Sequence, residues 1–488
     1  MIRKFGKMSY LHHRGQRPWA FVVNLDSRSI SRAPSSIGPL TAGLLSKRLM
    51  SRPVTPVTTG RAVKTGCRGV QHLSTSSRSF QEEEKMIRDT VSKFAEDVIA
   101  PRVRAMDAES TMDPAVISGL FENGLMGVEV PEEYGGSDLN FMSACIVVEE
   151  IAKVDPAVAV LVDIQNTLIN NMLRFWGSKE LQEKYFPRLC SGSVSSFCLS
   201  EVGAGSDAFS LSTRAIPSPD GSYYTIEGEK LWISNSEQAE LFFVFANVDP
   251  SKGYKGITCF IVEKGFGGVT IGPKEDKLGI RASSTCPVTF SGCEVPAANV
   301  LGEVGHGYKY AIEILNEGRI GIGAQMTGLA KGCMSSTIPY LFERKQFGAL
   351  VGDFQGMQHQ VAQAATEIEA ASALYRSAAR MKEAGQPFVK EAAMSKLYTS
   401  QVAERTASKC VEWLGGVGVS AFAAPLERNL IVGVHGDMGS IASHRSAFVF
   451  NERAKWVQYR RSIFLCSGCT KDGRLDVTTL VGGVRQTM

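Results

Sequence analysis

At 488 residues the chain exceeds what one compact core accommodates, and its length points to two or three domains with enough material to enclose a cofactor. A hydrophobic content of 44% with 21% charged residues is that of an ordinary soluble globular protein, and no apolar run approaches the roughly 20 residues that a membrane span requires. The formal charge of +4 does not mark a nucleic-acid binder: residues 1–79 hold 14 Lys and Arg against the single acidic Asp26, whereas the remainder holds 39 basic and 48 acidic residues.

The basic segment 1–79 is rich in Arg and Ser and nearly free of carboxylates, the composition of a transit peptide that directs a protein to the mitochondrial matrix; a disordered basic arm is the alternative. The 11 cysteines follow no repeated spacing, which suits a reducing compartment. Cys466 and Cys469 have neither a second pair nor a nearby His, so no zinc site is expected.

From residue 80 the pattern becomes helical. Ile87, Val91, Phe94, Val98 and Ile99 recur at helical spacing until Pro101, and further apolar stripes at 116–126 and 141–154 flank the Gly135-Gly136 break. An N-terminal helical domain is expected over 80–196. Short β-branched and aromatic runs follow at 223–226, 241–246, 257–262 and 287–290, so a small β domain is expected over 197–309. Ala-rich and Glu/Lys-rich stretches with few breakers besides Gly385 and Pro387 predict long helices over 310–418. Residues 419–488 show no sustained stripe. The fold class is α+β in the order helical, β, helical.

The sharpest local feature is the run Phe197-Cys198-Leu199-Ser200-Glu201-Val202-Gly203-Ala204-Gly205-Ser206-Asp207. Closely spaced glycines let backbone N–H groups approach a ligand, and the flanking hydroxyls can donate to carbonyls or phosphates. The run fits neither a Rossmann fingerprint nor a Walker loop. It reads as a ligand loop, an ordinary Gly-rich turn being the alternative. Trp232-Ile233-Ser234 follows it, and Trp232 taken alone reads as a core aromatic of the β domain.

Residues Cys198 to Ser210 resemble the acyl-CoA dehydrogenase family signature at every constrained position. The resemblance implies an FAD enzyme in which Phe197, Cys198, Leu199, Ser200, Glu201, Gly205 and Ser206 surround the flavin. Ser200 would bond the pyrimidine carbonyl and Ser206 would reach the CoA pantetheine or phosphate. Trp232, Ile233 and Ser234 would lie along one flavin edge, Ser234 at N5, where a fixed donor tunes the ring. Tyr254, Tyr308, Asn316, Glu317, Gly318 and Arg319 resemble the acyl-CoA-gripping positions. An Arg fork suits that task. Gly318 leaves room for a branch at the α carbon.

Arg344 and Gln355, with Glu412, Gly415 and Gly416, resemble the residues that touch a neighbouring subunit's cofactor, which implies a homotetramer. For Arg344 a surface i,i+4 ion pair is the alternative. The implied reaction is α,β-dehydrogenation of an acyl-CoA thioester, with a carboxylate taking the α proton, hydride leaving the β carbon for the flavin, and electrons passing to electron-transfer flavoprotein. An acyl-CoA oxidase is the runner-up enzyme. Two further readings are a non-catalytic FAD and acyl-CoA binder and an assembly variant.

The base is where the chain departs from the family pattern. No Tyr-Glu-Gly motif occurs, and Gly318 fills the alternative position immediately before Arg319. Glu317, the nearest carboxylate, is one residue earlier and about 100° around a helix, so the catalytic base stays unassigned. A second family pattern holds from Glu412 to Val419 and fails at Phe422, Glu427 and Ile431. The tail therefore reads as a substituted one, and activity is expected to be low.

Overall fold

The computed structural model describes residues 82–418. Segment 1–79, the positions Phe422, Glu427 and Ile431, and the pair Cys466/Cys469 lie outside the described residues.

Helix α1 (Glu82–Phe94) runs on through a π-helical turn, Ala95–Ile99, and buries Val91, Phe94 and Ile99. After α2 (Val103–Glu109), side-chain caps set the helix starts. Asp113 accepts from the Ala115 amide at 2.8 Å at the head of α3 (Pro114–Glu122), and Asn140 accepts from Ser143 at the head of α4 (Phe141–Ala152). Asp155 does the same for α5 (Pro156–Asp163), whose Pro156 occupies the first turn where no amide partner is needed. A π-helical stretch, Ile164–Asn170, leads into α6 (Asn171–Trp176), and α7 (Lys179–Ser191) follows. Every residue of α4 is buried, which makes it the central helix of this part.

Eight strands come next: β1 (Val194–Cys198), β2 (Arg214–Pro217), β3 (Tyr223–Ser234), β4 (Ala239–Asn247), β5 (Ile257–Glu263), β6 (Val269–Ile271), β7 (Thr285–Pro296) and β8 (Val300–Leu301). They form one sheet in the order β6-β7-β3-β2-β4-β5-β8, with β1 parallel to β4. Along β4 the side chains alternate: Leu241, Phe243 and Phe245 share a core with Tyr185 and Phe186 of α7, while Phe242, Val244 and Ala246 pack with Ile226, Phe260 and Val288 of the sheet. Strand β1 begins at Val194, inside the segment expected to be helical, because its residues pair with Ala239–Val244.

The last part holds α8 (Gly307–Leu341), a short hairpin of β9 (Lys345–Gln346) and β10 (Ala349–Leu350), then α9 (Gln355–Glu383) and α10 (Val389–Leu414). The break between α8 and α9 is not expected from the sequence pattern. It forms because Phe347 and Gly348 both take positive φ, the geometry of a tight hairpin turn. A buried carboxylate joins the helical parts: Glu149 of α4 meets Lys331 of α8 at 2.6 Å, Arg376 of α9 at 3.4 Å and the Tyr375 hydroxyl. Burial pushes the Glu149 carboxyl up, but these partners outweigh it and hold it at about 2. Among the described residues no helix is long and apolar enough to cross a membrane.

Candidate active site

The loop after β1 is pinned from beneath. Glu201 turns inward and accepts from Lys230 Nζ at 2.8 Å and from the Ser212 amide at 2.6 Å, both carboxylate and ammonium being buried. Lys230 Nζ also donates to the Leu199 carbonyl at 3.2 Å. Glu201 was expected at the cofactor; its carboxylate is consumed by this buried pair, so only its backbone is left for a ligand. The side chains of Cys198 and Leu199 are likewise buried in the core, and Phe197 packs on Phe245. Ser206 is exposed, and a β-carbon built at Gly203 or Gly205 would meet nothing within 4 Å. Those glycines therefore leave open space above the backbone.

Strand β3 carries the second motif on a bulge between Lys230 and Ile233. The Leu231 amide donates to the Ser200 carbonyl at 2.9 Å, and Ser196 Oγ donates to the Ser234 carbonyl at 2.8 Å. Trp232 has φ +61° and is 58% exposed, so it is not a core aromatic. A bulky residue in the left-handed region is an outlier of the sort concentrated at ligand sites. Ile233 is buried and anchors the bulge.

Trp232 and Ser234 open onto a cavity of about 580 Å³. Gly318, Arg319 and Ile322 of α8 form another wall, Leu168 of the π-helical stretch a third, and Lys277, Ser283 and Thr285 border the sheet side. A β-carbon at Gly318 would lie 2.9 Å from Leu168 Cδ2, so the absent side chain is what brings these walls together. Arg319 Nη1 donates to Asn316 Oδ1 at 2.5 Å, pairing the two polar groups on one helical turn. Tyr308 is edge-on to both Tyr254 (centroids 4.9 Å apart) and Phe209 (6.4 Å), which ties the ligand loop to the α8 entrance.

Glu317 does not face this cavity. It is buried in a separate cluster, accepting from Asn171 at 2.7 Å and pairing with Lys382 at 3.2 Å, and burial raises its carboxyl above the ordinary value. The step of about 100° from Gly318 accounts for its direction. The second group of expected residues lies apart from the cavity. Arg344 and Gln355 flank the hairpin between α8 and α9 and are exposed; among the described residues Arg344 has no ion-pair partner. Glu412 pairs with Lys409 at 2.7 Å, and Gly415 and Gly416 follow α10. Trp413 Nε1 donates to Gln360 at 3.2 Å, so the end of α10 sits against the start of α9.

Several cavity residues escape a sequence reading. Asp163 is buried at the end of α5 and pushed up to about 7 by desolvation, against a hydrogen bond from Thr167. Lys277 is pushed down to about 8, by burial first and then by Lys274. Gln325 and Lys396 also line the wall. The one available signal for Asp163 is its isolation at the end of an apolar helix.

The three parts of the fold correspond to three family models: acyl-CoA dehydrogenase N-terminal domain over residues 81–193, middle domain over 196–293 and C-terminal domain over 305–431. The chain belongs to the acyl-CoA dehydrogenase family. The C-terminal match runs to residue 431, past Val419, the last position at which the second family pattern holds. Among its acyl-CoA dehydrogenase relatives, the short/branched chain specific, mitochondrial enzyme of Rattus norvegicus is 57% identical over 341 residues, spanning 70% of this chain and 78% of the relative. The solved butyryl-CoA dehydrogenase of Megasphaera elsdenii superposes with a TM-score of 0.72 at 35% identity, over 75% of this chain and 97% of that one. An acyl-CoA dehydrogenase from Bacillus anthracis, solved in complex with FAD, gives 0.68 at 28% identity over 75% of this chain and 66% of that one. Acyl-CoA dehydrogenases are FAD-dependent oxidoreductases. The residues here fit that cofactor. Trp232 is held exposed beside the cavity, and the Ser234 hydroxyl next to it has no partner among the described residues.

Proposed function

We propose that this chain takes short and 2-methyl-branched acyl-CoA thioesters, such as 2-methylbutyryl-CoA, as substrates for α,β-dehydrogenation in branched amino-acid and fatty-acid catabolism, with electron-transfer flavoprotein as the electron acceptor. The observation that carries the reading is the cavity itself, in which Trp232 and Ser234 of β3 line the same space as Gly318 and Arg319 of α8. FAD, when bound, supplies the acceptor for the hydride leaving the β carbon. Ser200 and the open backbone around Gly205 hold the ring's polar edge, and Ser234 directs its hydroxyl to the reactive side. Arg319, oriented by Asn316, grips the polar CoA end, with Tyr254, Tyr308 and Ser206 along the pantetheine arm. Backbone N–H groups around the thioester carbonyl would stabilise the charge that develops there. The identity to short/branched chain specific relatives and the small Gly318 both favour a substituent at the α carbon.

In this reading Arg344, Gln355, Glu412, Gly415 and Gly416 complete the cofactor site of a neighbouring subunit in a homotetramer. The basic segment 1–79 addresses the protein to the mitochondrial matrix. The chain as it stands turns over slowly, because Gly318 offers no carboxylate beside Arg319 and Glu317 is committed to Lys382 and Asn171. A general base typically contributes roughly 10²- to 10⁴-fold. A second reading, an FAD and acyl-CoA binder without turnover, draws on the same Gly318.

Dye-linked dehydrogenation of 2-methylbutyryl-CoA by the full chain and by Gly318→Glu, both loaded with FAD, tests the proposal. The β-carbon of the variant meets only the end of the Leu168 side chain, at 2.9 Å. Expected is a rate at least about 10²-fold higher for the variant. Equal rates would overturn the account of the base, and no oxidation by either would overturn the dehydrogenase reading.

A further inference from the structure

Two neighbouring carbonyls of the ligand loop are taken by two consecutive residues of β3. Lys230 Nζ donates to the Leu199 carbonyl at 3.2 Å, and the Leu231 amide donates to the Ser200 carbonyl at 2.9 Å. The amide that lies between these carbonyls, that of Ser200, has no acceptor among the described residues. Every described peptide bond is trans, so the Ser200 N–H points away from the Leu199 carbonyl and therefore away from Lys230. A β-carbon at Gly203 or Gly205 meets nothing within 4 Å, so this stretch of backbone lies open to a ligand.

The Lys230 side chain is fully buried, and that of Glu201, its partner at 2.8 Å, is 3% exposed. Glu201 is held in turn by the Ser212 amide at 2.6 Å and the Thr213 amide at 3.2 Å. The ammonium is thus fixed in place and kept from water, where its field is screened far less than at a surface. A cation bonded to a carbonyl draws electron density through the peptide unit and makes the N–H at its other end a stronger donor. Such a donor at the polar edge of a flavin favours the state in which that edge carries more negative charge, which is the reduced one.

We propose that Lys230 is a positioning residue for the cofactor: through the Leu199–Ser200 peptide it presents the Ser200 amide as a charge-assisted donor to the pyrimidine edge of FAD and so raises the potential of the bound flavin. This rests on the reading that Ser200 faces that edge, and it assigns Lys230 no contact with FAD or substrate.

The test uses the full chain loaded with FAD and compares it with two double variants, Lys230→Met/Glu201→Gln and Lys230→Gln/Glu201→Gln. Both remove the buried charges together and keep an amide oxygen for the Ser212 and Thr213 amides, so neither leaves an unpaired ion. The second also keeps a neutral donor for the Leu199 carbonyl. The potential is read by titration against a reference dye, the affinity for oxidised FAD by calorimetry, and the hydrogen bond itself by infrared difference spectra of FAD isotopically labelled at its pyrimidine carbonyls. In the Met variant the affinity for reduced relative to oxidised flavin is expected to fall about threefold to tenfold, which is a drop of roughly 15–30 mV, with the carbonyl stretch moved to higher frequency. The Gln variant is expected to lie between the Met variant and the natural chain on both readouts. An unchanged potential and carbonyl stretch in whichever variant retains FAD overturns the proposal, even if both oxidation states bind more weakly, because Lys230 then only holds the loop. Loss of FAD from both variants overturns it in the same way. If the natural chain holds FAD with its pyrimidine carbonyls free of any hydrogen bond, the placing of Ser200 at the flavin falls, and the role of Lys230 with it.

Discussion

The Leu231 amide donates to the Ser200 carbonyl at 2.9 Å, so the bulge that exposes Trp232 and the loop that carries the glycines are one unit. Beneath them Lys230 bonds both Glu201 and the Leu199 carbonyl. A displacement of either segment therefore moves the other, and the two sequence motifs are held in register by a buried ion pair.

Breaking that pair is expected to be costly. Burial pushes the Glu201 carboxyl up, but Lys230, Ser212 and Thr213 outweigh it and hold it at about 2, well below its unfolded value. A depressed carboxyl stabilises the fold above its unfolded pKa, and that contribution is lost as pH falls toward about 2. Lys230→Met leaves Glu201 buried and unpaired, so urea unfolding at pH 7 should show a loss of about 3–5 kcal/mol. The difference between the two proteins should narrow as pH falls through the raised pKa of the unpaired Glu201 in the variant, above the ordinary carboxylate value, and go on narrowing toward about 2 as the natural pair is lost. A loss that does not depend on pH would mean that packing, not the ion pair, holds the loop.

The Ser234 hydroxyl is a single donor beside the cavity. Ser234→Ala should leave the unfolding midpoint within experimental error and shift the potential of the bound flavin. One hydrogen bond contributes roughly 0.5–1.5 kcal/mol, which corresponds to roughly 10–30 mV for a two-electron couple. Potentiometric titration with a reference dye reads this directly, and an unmoved potential would count against the contact.

Much of this was legible in the sequence because the chemistry is concentrated in two short runs, Cys198 to Ser210 and Trp232 to Ser234, and because β-branched and aromatic runs mark β3, β4, β5 and β7. What escaped depends on contacts between distant segments. Asp163 and Gly321 meet across more than a hundred residues, and nothing near either reveals the other. Strand β1 lacks its own pattern, since Val194-Ser195-Ser196-Phe197-Cys198 owes its strand geometry to β4. Glu201 sits inside the loop motif yet belongs to the core, because its partner lies on β3. Trp232 reads as a core aromatic until the bulge turns its φ positive and exposes it.

Residues 1–79 carry 14 basic residues and a single acidic one. Fused to a fluorescent reporter, they should give mitochondrial signal, and protease protection after outer-membrane rupture should place it in the matrix. Diffuse cytosolic fluorescence would remove the targeting role.

Titration of the FAD-free full chain with FAD, followed by tryptophan fluorescence, tests most directly whether the flavin lies along the Trp232–Ser234 edge. Trp232 is 58% exposed beside the cavity, so a stacked or edge-on flavin should quench it as the site fills. The account predicts saturable quenching at one FAD per chain, with much of the amplitude lost in Trp232→Phe while FAD still binds. Binding with the same quenching amplitude in both proteins would contradict the placement of the flavin, and failure of the natural chain to bind FAD at all would contradict the account as a whole.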